Sequence, residues 1–353
     1  MDVQSYSLLS SCAWRPSEEQ QLLLRAALLH EGPALEAWRA WQFQANLDRL
    51  PPDGFALLPL LAHNLCEQGL DDPLLDKCQG IHRRSWSQTQ LLLRQMKTLL
   101  ELMQVTNITP TVHSATALAL LHYPKAGLRM LDRFQLLISR TDAQPMRTIL
   151  QQAGWQPQPL RNPWLRLLRT APKTSQYTQR SLGETGVLQW QLLPAMLEAQ
   201  QISAIDDTGH PVTIQGVPVR TLSPTELFWE SCTHGILALQ RYGSVQWIAD
   251  AAMLLRRAQP PIDWMQLLTR TSQSAVTLRM LMALHCLQHT VEAAVPSPVL
   301  AQLQTLPIQP FERWELQLPA HLPPAVRSLV TRWLDRQRHR WQQASGPPLS
   351  SAL

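Results

Sequence analysis

Residues 109–155 constrain the fold of this chain more than any other segment, because strand and helix signals alternate there over short distances. A β-branched run ends at Val112, and His113 and Ser114 form the predicted turn after it. Residues 115–121 are almost entirely apolar and predict a short helix. The chain therefore changes from strand to helix within a few residues, which is typical of a mixed α and β structure.

The second half of this segment repeats the pattern. Residues 123–127 contain a proline and a glycine and end the first helix, and residues 134–138 predict a strand between charged ends. Asp142 is a favourable N-cap for a second helix, which should end before Gly154. We therefore expect a strand, helix, strand, helix arrangement in the middle of the chain.

The segments on either side are predominantly helical. Ser17, Pro33, Asp53 and Pro73 stand at the four predicted helix starts, and the fourth of these helices should have one buried apolar face. We assign to that face Leu91, Leu92, Met96, Leu99, Leu100 and Met103. Residues 164–169, 175–180 and 187–193 predict further strands, and residues 212–219 predict another short β segment. Ser223 and Pro224 begin a second helical region, so the sequence predicts an α+β fold with a small mixed sheet.

Composition excludes several classes of protein. None of the 353 residues lies in an apolar run near the ~20 residues that a membrane helix needs, and the N-terminus does not resemble a signal peptide. The five cysteines follow no metal-binding spacing, which is typical of free thiols in a reducing compartment. We therefore expect a cytoplasmic protein that does not associate with membranes.

Charge and aromatic content favour a protein partner over nucleic acid. Only 16% of the residues are charged, against roughly 25% in an ordinary domain, and the net charge is +5. The chain contains thirteen tryptophans, which is a high number, and exposed aromatic residues are enriched at protein–protein interfaces. The main basic cluster lies along a predicted terminal helix with Trp333 and Trp341, and it contains Arg332, Arg336, Arg338, His339 and Arg340. It could serve an RNA, a membrane surface or an acidic partner, or it could be a solvated helix face whose tryptophans pack inward.

The central and C-terminal segments resemble an uncharacterised nucleotidyltransferase family of the DNA polymerase β-like superfamily. The matching central positions are Ala115, Ala117, Leu118, Tyr123, Pro124, Gly127, Arg129, Leu136, Leu137, Gly154 and Trp155. The matching later positions are Leu222, Ser223, Pro224, Cys232, His234, Gly235, Trp247, Asp250, Asp263 and Trp264. This resemblance covers about residues 20–290. It implies an N-terminal helical region (1–105), a nucleotidyltransferase-like core (106–220), a C-terminal helical bundle (221–343) and a mobile tail (344–353).

The catalytic positions of that family are occupied by other residue types. The family's Lys-Gly pair is His113-Ser114 here, and its Asp-x-Asp motif has become Arg133-Phe134-Gln135. Its third carboxylate, on a later strand, corresponds to Val187. Three carboxylates would carry a charge of −3, whereas the residues present carry +1, which opposes Mg²⁺ binding. We therefore predict a pseudoenzyme with no metal site and no cofactor.

Two other uses of the cleft remain open. The acids Asp132, Glu184, Asp206 and Asp207 could rebuild a metal site, in which case Mg²⁺ and a nucleoside triphosphate would be required. Separately, three basic side chains, His113, Arg129 and Arg133, could bind an anionic small molecule, although Arg129 could equally hold its own loop through a carbonyl group.

The resemblance, the tryptophan content and the basic cluster together lead to three hypotheses of function. The first is an accessory or recognition subunit in a biosynthetic or peptide-modifying system, which binds another protein. The second is an active metal-dependent nucleotidyltransferase with rearranged acids, acting on a small molecule or protein. The third is an RNA-binding module, for which binding should fall steeply with salt and on charge reversal of Arg336 and Arg340.

Overall fold

The computed structural model describes most of the chain. The described residues are 15–44, 47–138, 142–157, 174–181, 184–192, 209–318 and, near the C-terminus, 330, 333, 334, 336–338, 340 and 341. The predicted strand at 164–169, the acids Asp206 and Asp207 and the predicted tail lie outside them. In the described part, no helix is long and apolar enough to cross a bilayer.

The chain forms two compact units. One contains Met1–Asp71 together with Pro224–Leu353, and the other contains Asp72–Ser223. Contacts therefore group the first helices with the C-terminal helices, and they group the long helix after residue 72 with the sheet. The predicted regions divide the chain differently, since they place that long helix in the N-terminal region.

The first unit, which we call the helical unit, contains nine helices among the described elements. These are α1 (Glu18–Leu28), α2 (Glu31–Gln44), α3 (Pro52–Glu67), α7 (Pro224–Tyr242), α8 (Gln246–Arg257), α9 (Trp264–Gln273), α10 (Thr277–Val291), α11 (Ser297–Thr305) and α12 (Pro310–Gln317). A 3₁₀ turn at Leu47–Arg49 joins α2 to α3, and the described residues from 330 to 341 are helical.

Local signals explain where several of these helices begin. Ser17 and Gln20 form a reciprocal capping box at the start of α1. Asp263 accepts hydrogen bonds from the backbone N–H groups of Met265 and Gln266, which confirms its predicted role as the N-cap of α9. These caps satisfy N–H groups that have no partner within the helix.

The second unit, which we call the sheet unit, begins with α4 (Pro73–Val105). Asp72 caps this helix by accepting from the Leu74 N–H at 2.8 Å. Its buried face contains Thr89, Leu93, Met96, Leu100 and Met103 at helical spacing. The prediction was wrong at Leu91, which is exposed. Thr89, Leu93 and Met96 are spaced so that their side chains share one face of the helix, and Leu91 lies on another face.

The sheet unit continues with seven strands and two short helices. These are β1 (Thr111–Val112), α5 (Ser114–Leu121), β2 (Phe134–Ile138), α6 (Ala143–Gln152), β3 (Gln156–Pro157), β4 (Thr174–Ser181), β5 (Glu184–Leu192), β6 (His210–Ile214) and β7 (Val217–Thr221). The strand order is β3-β4-β5-β2-β1-β7-β6, and parallel and antiparallel pairs both occur. The α+β class and the mixed sheet are confirmed.

The two faces of this sheet differ in character. One face is buried and apolar. Six of its side chains are each at most 4% exposed, namely Val112, Phe134, Leu136, Ile138, Val217 and Val219. Trp155, after α6, packs edge-on against Phe134 with ring centroids 6.0 Å apart. The opposite face carries the alternate residues, and these include the positions at which the resemblance places catalytic groups.

Candidate functional site

Strand register aligns β2 and β5, which hold two of the positions that correspond to the family's acids. β2 runs parallel to β5, with Phe134 opposite Leu188 and Gln135 opposite Gln189. Because partners in register share a face and alternate residues return to it, positions 135 and 187 belong to the same face. Position 133 lies in the bend directly before β2, one residue ahead of the first of these pairs. The resemblance places catalytic acids at these three positions, where this sequence has Arg133, Gln135 and Val187.

His113 extends this group from the neighbouring strand. β1 is antiparallel to β2, with Val112 opposite Leu136, and the His113 N–H donates to the Gln135 carbonyl oxygen at 3.5 Å. His113 is 4% exposed, and its Nδ1 lies 2.8 Å from the Ser114 hydroxyl oxygen. The turn thus places a buried imidazole and a hydroxyl group beside the substituted acid positions.

Ser114 occupies a backbone conformation that favours glycine. Its φ is +50°, in the left-handed region, and the resemblance places a glycine at this position. An L-residue in this conformation costs about 1–2 kcal/mol more than it would in the right-handed region. The turn before α5 therefore has a backbone conformation that glycine adopts more readily than serine.

Arg133 is held by the neighbouring acid. Its Nε lies 3.0 Å from each carboxylate oxygen of Asp132, and a terminal guanidinium nitrogen also donates to that group. The hydrogen bond from Arg133 lowers the pKa of Asp132, with a smaller contribution from the charge of Arg129. The lowered pKa keeps Asp132 ionised, and its carboxylate forms an ion pair with the Arg133 guanidinium group.

Arg129 belongs to the loop before β2. One of its terminal nitrogens donates to the Met130 carbonyl oxygen at 3.1 Å. The same loop is attached to α4, because the Ser85 hydroxyl donates to the Gly127 carbonyl oxygen at 2.7 Å. The alternative in which Arg129 holds its loop through a carbonyl group is thus present in the structure, and the predicted anion site remains a prediction.

Sequence reasoning missed two side chains that position this region. Ser85 is one, and Thr116 is the other: its hydroxyl oxygen accepts from the Gln135 N–H at 2.9 Å and so ties α5 to β2. Both are small hydroxyl residues inside helices and both are 1% exposed. Hydroxyl residues at otherwise apolar helix positions were the available signal, because a buried hydroxyl needs a partner.

The described residues at these positions do not fit a two-metal centre. Mg²⁺ prefers several oxygen ligands in octahedral geometry, and a guanidinium group can neither lose its charge nor offer a lone pair to a metal ion. Among the residues that the structure describes, no group of three or more His, Cys, Asp and Glu side chains could hold a metal ion. Glu184 begins β5, but its side chain lies outside the described part, as do Asp206 and Asp207.

A buried histidine at the end of α5 gives the sheet unit a dependence on pH. His122 is 6% exposed, and burial lowers its pKa from 6.5 to about 4. Between these values the unfolded chain binds a proton that the folded chain does not. The contribution of His122 to the free energy of unfolding is therefore complete above pH 6.5 and is lost as the pH falls towards 4. The total loss is about 3 kcal/mol.

We expect this slope to disappear when the imidazole is removed. In His122→Leu, the loss of stability between neutral and acidic pH should be about 3 kcal/mol smaller than in the parent protein. Urea unfolding monitored at several pH values measures the difference. Parallel curves for the two proteins would show that His122 is not the group responsible.

Comparison with known proteins places these observations in a family context. A family described as "Uncharacterised nucleotidyltransferase" matches residues 56–292, which include both segments that carry the resemblance. The crystal structure of an antigenic nucleotidyltransferase-like protein from Paracoccidioides brasiliensis aligns with 62% of this chain and 94% of its own, at 16% identity and a TM-score of 0.40. No curated protein matches this sequence.

Proposed function

Because this chain belongs to the family of uncharacterised nucleotidyltransferases, we propose that it keeps the family's scaffold as a binding protein and has lost nucleotide transfer. It would act as an accessory or recognition subunit in a biosynthetic or peptide-modifying system. Arg133 carries this proposal, because it stands at the first carboxylate position and is paired with the nearest acid, Asp132.

The physical argument concerns charge at the place where metals would sit. Nucleotidyl transfer relies on cations to neutralise the triphosphate and to activate the attacking oxygen. Positions 135 and 187 share one sheet face, position 133 directly precedes β2, and the three residues are Gln, Val and Arg. A guanidinium group beside that face would repel Mg²⁺, and neither an amide nor an aliphatic group supplies negative charge.

Calorimetric titration tests the proposal directly. We expect Mg²⁺ or Mn²⁺ to leave the affinity for ATP unchanged, and incubation with labelled ATP to transfer no nucleotide to protein or to small acceptors. The reason is that, in the part of the chain that the structure describes, no carboxylate cluster is available to bridge metal and phosphate. Metal-dependent tight binding or transfer by the unmodified protein would overturn the proposal.

A gain-of-function variant makes this test sharper. Introducing acids together in Arg133→Asp, Gln135→Asp and Val187→Asp should create Mg²⁺ binding, because positions 135 and 187 share a sheet face and position 133 directly precedes β2. The matched control is the corresponding triple asparagine variant, which has similar shape but no charge. Equal metal affinity in the two variants would mean that the cleft geometry, and not only the acids, has been lost.

The alternative that the protein is an active enzyme predicts a different result when Asp132 is substituted. If this acid supports catalysis, Asp132→Asn should abolish turnover, whereas the proposed function predicts no turnover to lose. The described structure favours the proposed function, since the Asp132 carboxylate is engaged by Arg133 through both of its oxygens. Glu184, Asp206 and Asp207 stay open as contributors to this alternative.

A second candidate function is metal-independent binding of an anionic small molecule. It is favoured by the positive charge of Arg129 and Arg133, which together lower the pKa of Asp132. Pyrophosphate titrated without metal should bind, and Arg129→Ala should weaken that binding by about ten-fold, as expected for the loss of one charge-assisted contact. Absence of heat at millimolar pyrophosphate would eliminate this candidate.

A further inference from the structure

Helix α12 of the helical unit buries its acids and exposes its tryptophan, which reverses the usual pattern of a surface helix. Glu312 is 0% exposed and Glu315 is 4% exposed, whereas Trp314 is 65% exposed. Burying a carboxylate is costly unless it is paired, and tryptophan ordinarily contributes its large apolar area to a core. The orientation of this helix therefore cannot follow from hydrophobic burial alone.

The two acids hold the surrounding helices together. Glu312 accepts hydrogen bonds from the N–H of Leu278, at the start of α10, and from the N–H of Gln309, both at 2.9 Å. Glu315 accepts from the guanidinium groups of Arg279, on α10, and Arg338, in the C-terminal helical segment. Both carboxylates are thus satisfied inside the unit, and the helix face opposite to them is turned outward.

The contact with Arg338 also positions a second tryptophan. Leu334 is buried beside Phe311 and Ala275, and Val330 and Trp341 pack against the same cluster. This inward side leaves Trp333 on the outside of the segment, where it is 45% exposed. Its ring centroid lies 6.2 Å from that of Trp314, and the rings are tilted by 45°. Two exposed indoles are therefore held next to each other by a buried ionic network.

Positive charge flanks this aromatic pair. Arg336 and Arg340 are exposed, and they follow Trp333 by three and seven residues, which places all three side chains along one helix face. In the described parts of α12 and the C-terminal segment, the exposed charges are all basic. We call Trp314, Trp333, Arg336 and Arg340 the tryptophan surface.

We propose that the tryptophan surface binds an acidic segment of a partner protein. Tryptophan and arginine are the residues most enriched at the energetic centres of protein interfaces, and charge complementarity selects an acidic partner. Insertion into a bilayer would require a broad apolar helix face, but Val330, Leu334 and Trp341 are turned towards the core. This inference rests on the proposed function, because a protein that works by binding needs such a surface.

Binding of a defined acidic probe tests the inference. We expect a short fluorescein-labelled peptide of alternating Glu and Leu to bind the full chain, and a matched Lys-Leu peptide not to bind. Two double variants should each lower the affinity for the acidic peptide by about ten-fold or more, as measured by fluorescence anisotropy. One combines Trp314→Ala with Trp333→Ala, and the other combines Arg336→Glu with Arg340→Glu. All four side chains are exposed, so circular dichroism and thermal melting should match the parent protein.

Matched controls come from the same unit. Phe43→Ala removes another highly exposed aromatic side chain, and Arg256→Glu with Arg257→Glu reverses another exposed basic pair. Neither should change peptide affinity. Failure of the acidic peptide to bind, equal losses in the controls, or preferential binding of phosphatidylserine vesicles or single-stranded RNA would each overturn the inference. The ATP and Mg²⁺ titrations are unaffected by these variants, so failure here and failure of the proposed function can be told apart.

Discussion

Gly235→Ala is expected to destabilise the helical unit by about 3 kcal/mol or more, within the upper range for overpacked cores. A Cβ at this position of α7 would lie 2.2 Å from Cγ and 2.5 Å from Cβ of Trp247 on α8. Those atoms are close to the backbone of α8, so the indole cannot rotate away from the added methyl group. The helices would have to separate, and the contact between them would be lost.

Hydrogen exchange followed by mass spectrometry can localise this effect. Amides of α7 and α8 should exchange faster in the variant, because local opening becomes easier. Gly32→Ala in α2 is the control, since a Cβ there meets nothing within 4 Å and the change is worth at most about 1 kcal/mol. The double variant Gly235→Ala with Trp247→Ala should be less than additive. Full additivity would show that the two residues do not conflict.

Gly127→Ala is expected to destabilise the sheet unit by a similar amount, for a different reason. Gly127 has φ of +83°, and a Cβ there would lie 2.6 Å from both Cα and N of Trp86 on α4. The left-handed conformation costs about 1–2 kcal/mol for alanine, and a contact with backbone atoms cannot be relieved by a rotamer change. We expect a total of about 3 kcal/mol or more, with faster amide exchange in α4 and in the loop before β2.

Gly154→Ala separates the two contributions. Gly154 lies in the same unit with φ of +79°, but a Cβ there meets nothing within 4 Å. This control should lose only the conformational part, about 1–2 kcal/mol. If both variants lost the same stability, the close approach of the loop to α4 would not matter. The comparison also bears on the site, because this loop carries Arg129 and leads to Arg133.

Much of the candidate site could be predicted from the sequence. The turn at His113 and Ser114, strand β2 and the hairpin of β4 and β5 all follow from local patterns, and the structure has them. Two positions show the limits of local signals: Leu91 is exposed, and Asp142 stands at the N-cap of α6 without a side-chain capping hydrogen bond. Which positions of an amphipathic helix are buried, to within one residue, depends on the elements that pack against that helix.

The arrangement around Arg133 depended on the fold. Residue identity shows arginine where the resemblance expects an acid. The contact of Arg133 with Asp132 is local, since the two residues are adjacent. The alignment of β2 with β5 depends instead on the register of two strands far apart in sequence, which no short-range pattern encodes.

By itself the sequence determined the order of most of the secondary structure elements and the family, because caps, periodicity and residue identity are local properties. The tertiary structure decided the grouping of α4 with the sheet, the inward turn of Glu312 and Glu315 and the outward turn of Trp314. Those outcomes follow from which distant groups can satisfy a buried charge, and Arg279 and Arg338 reach Glu315 only after the chain has folded.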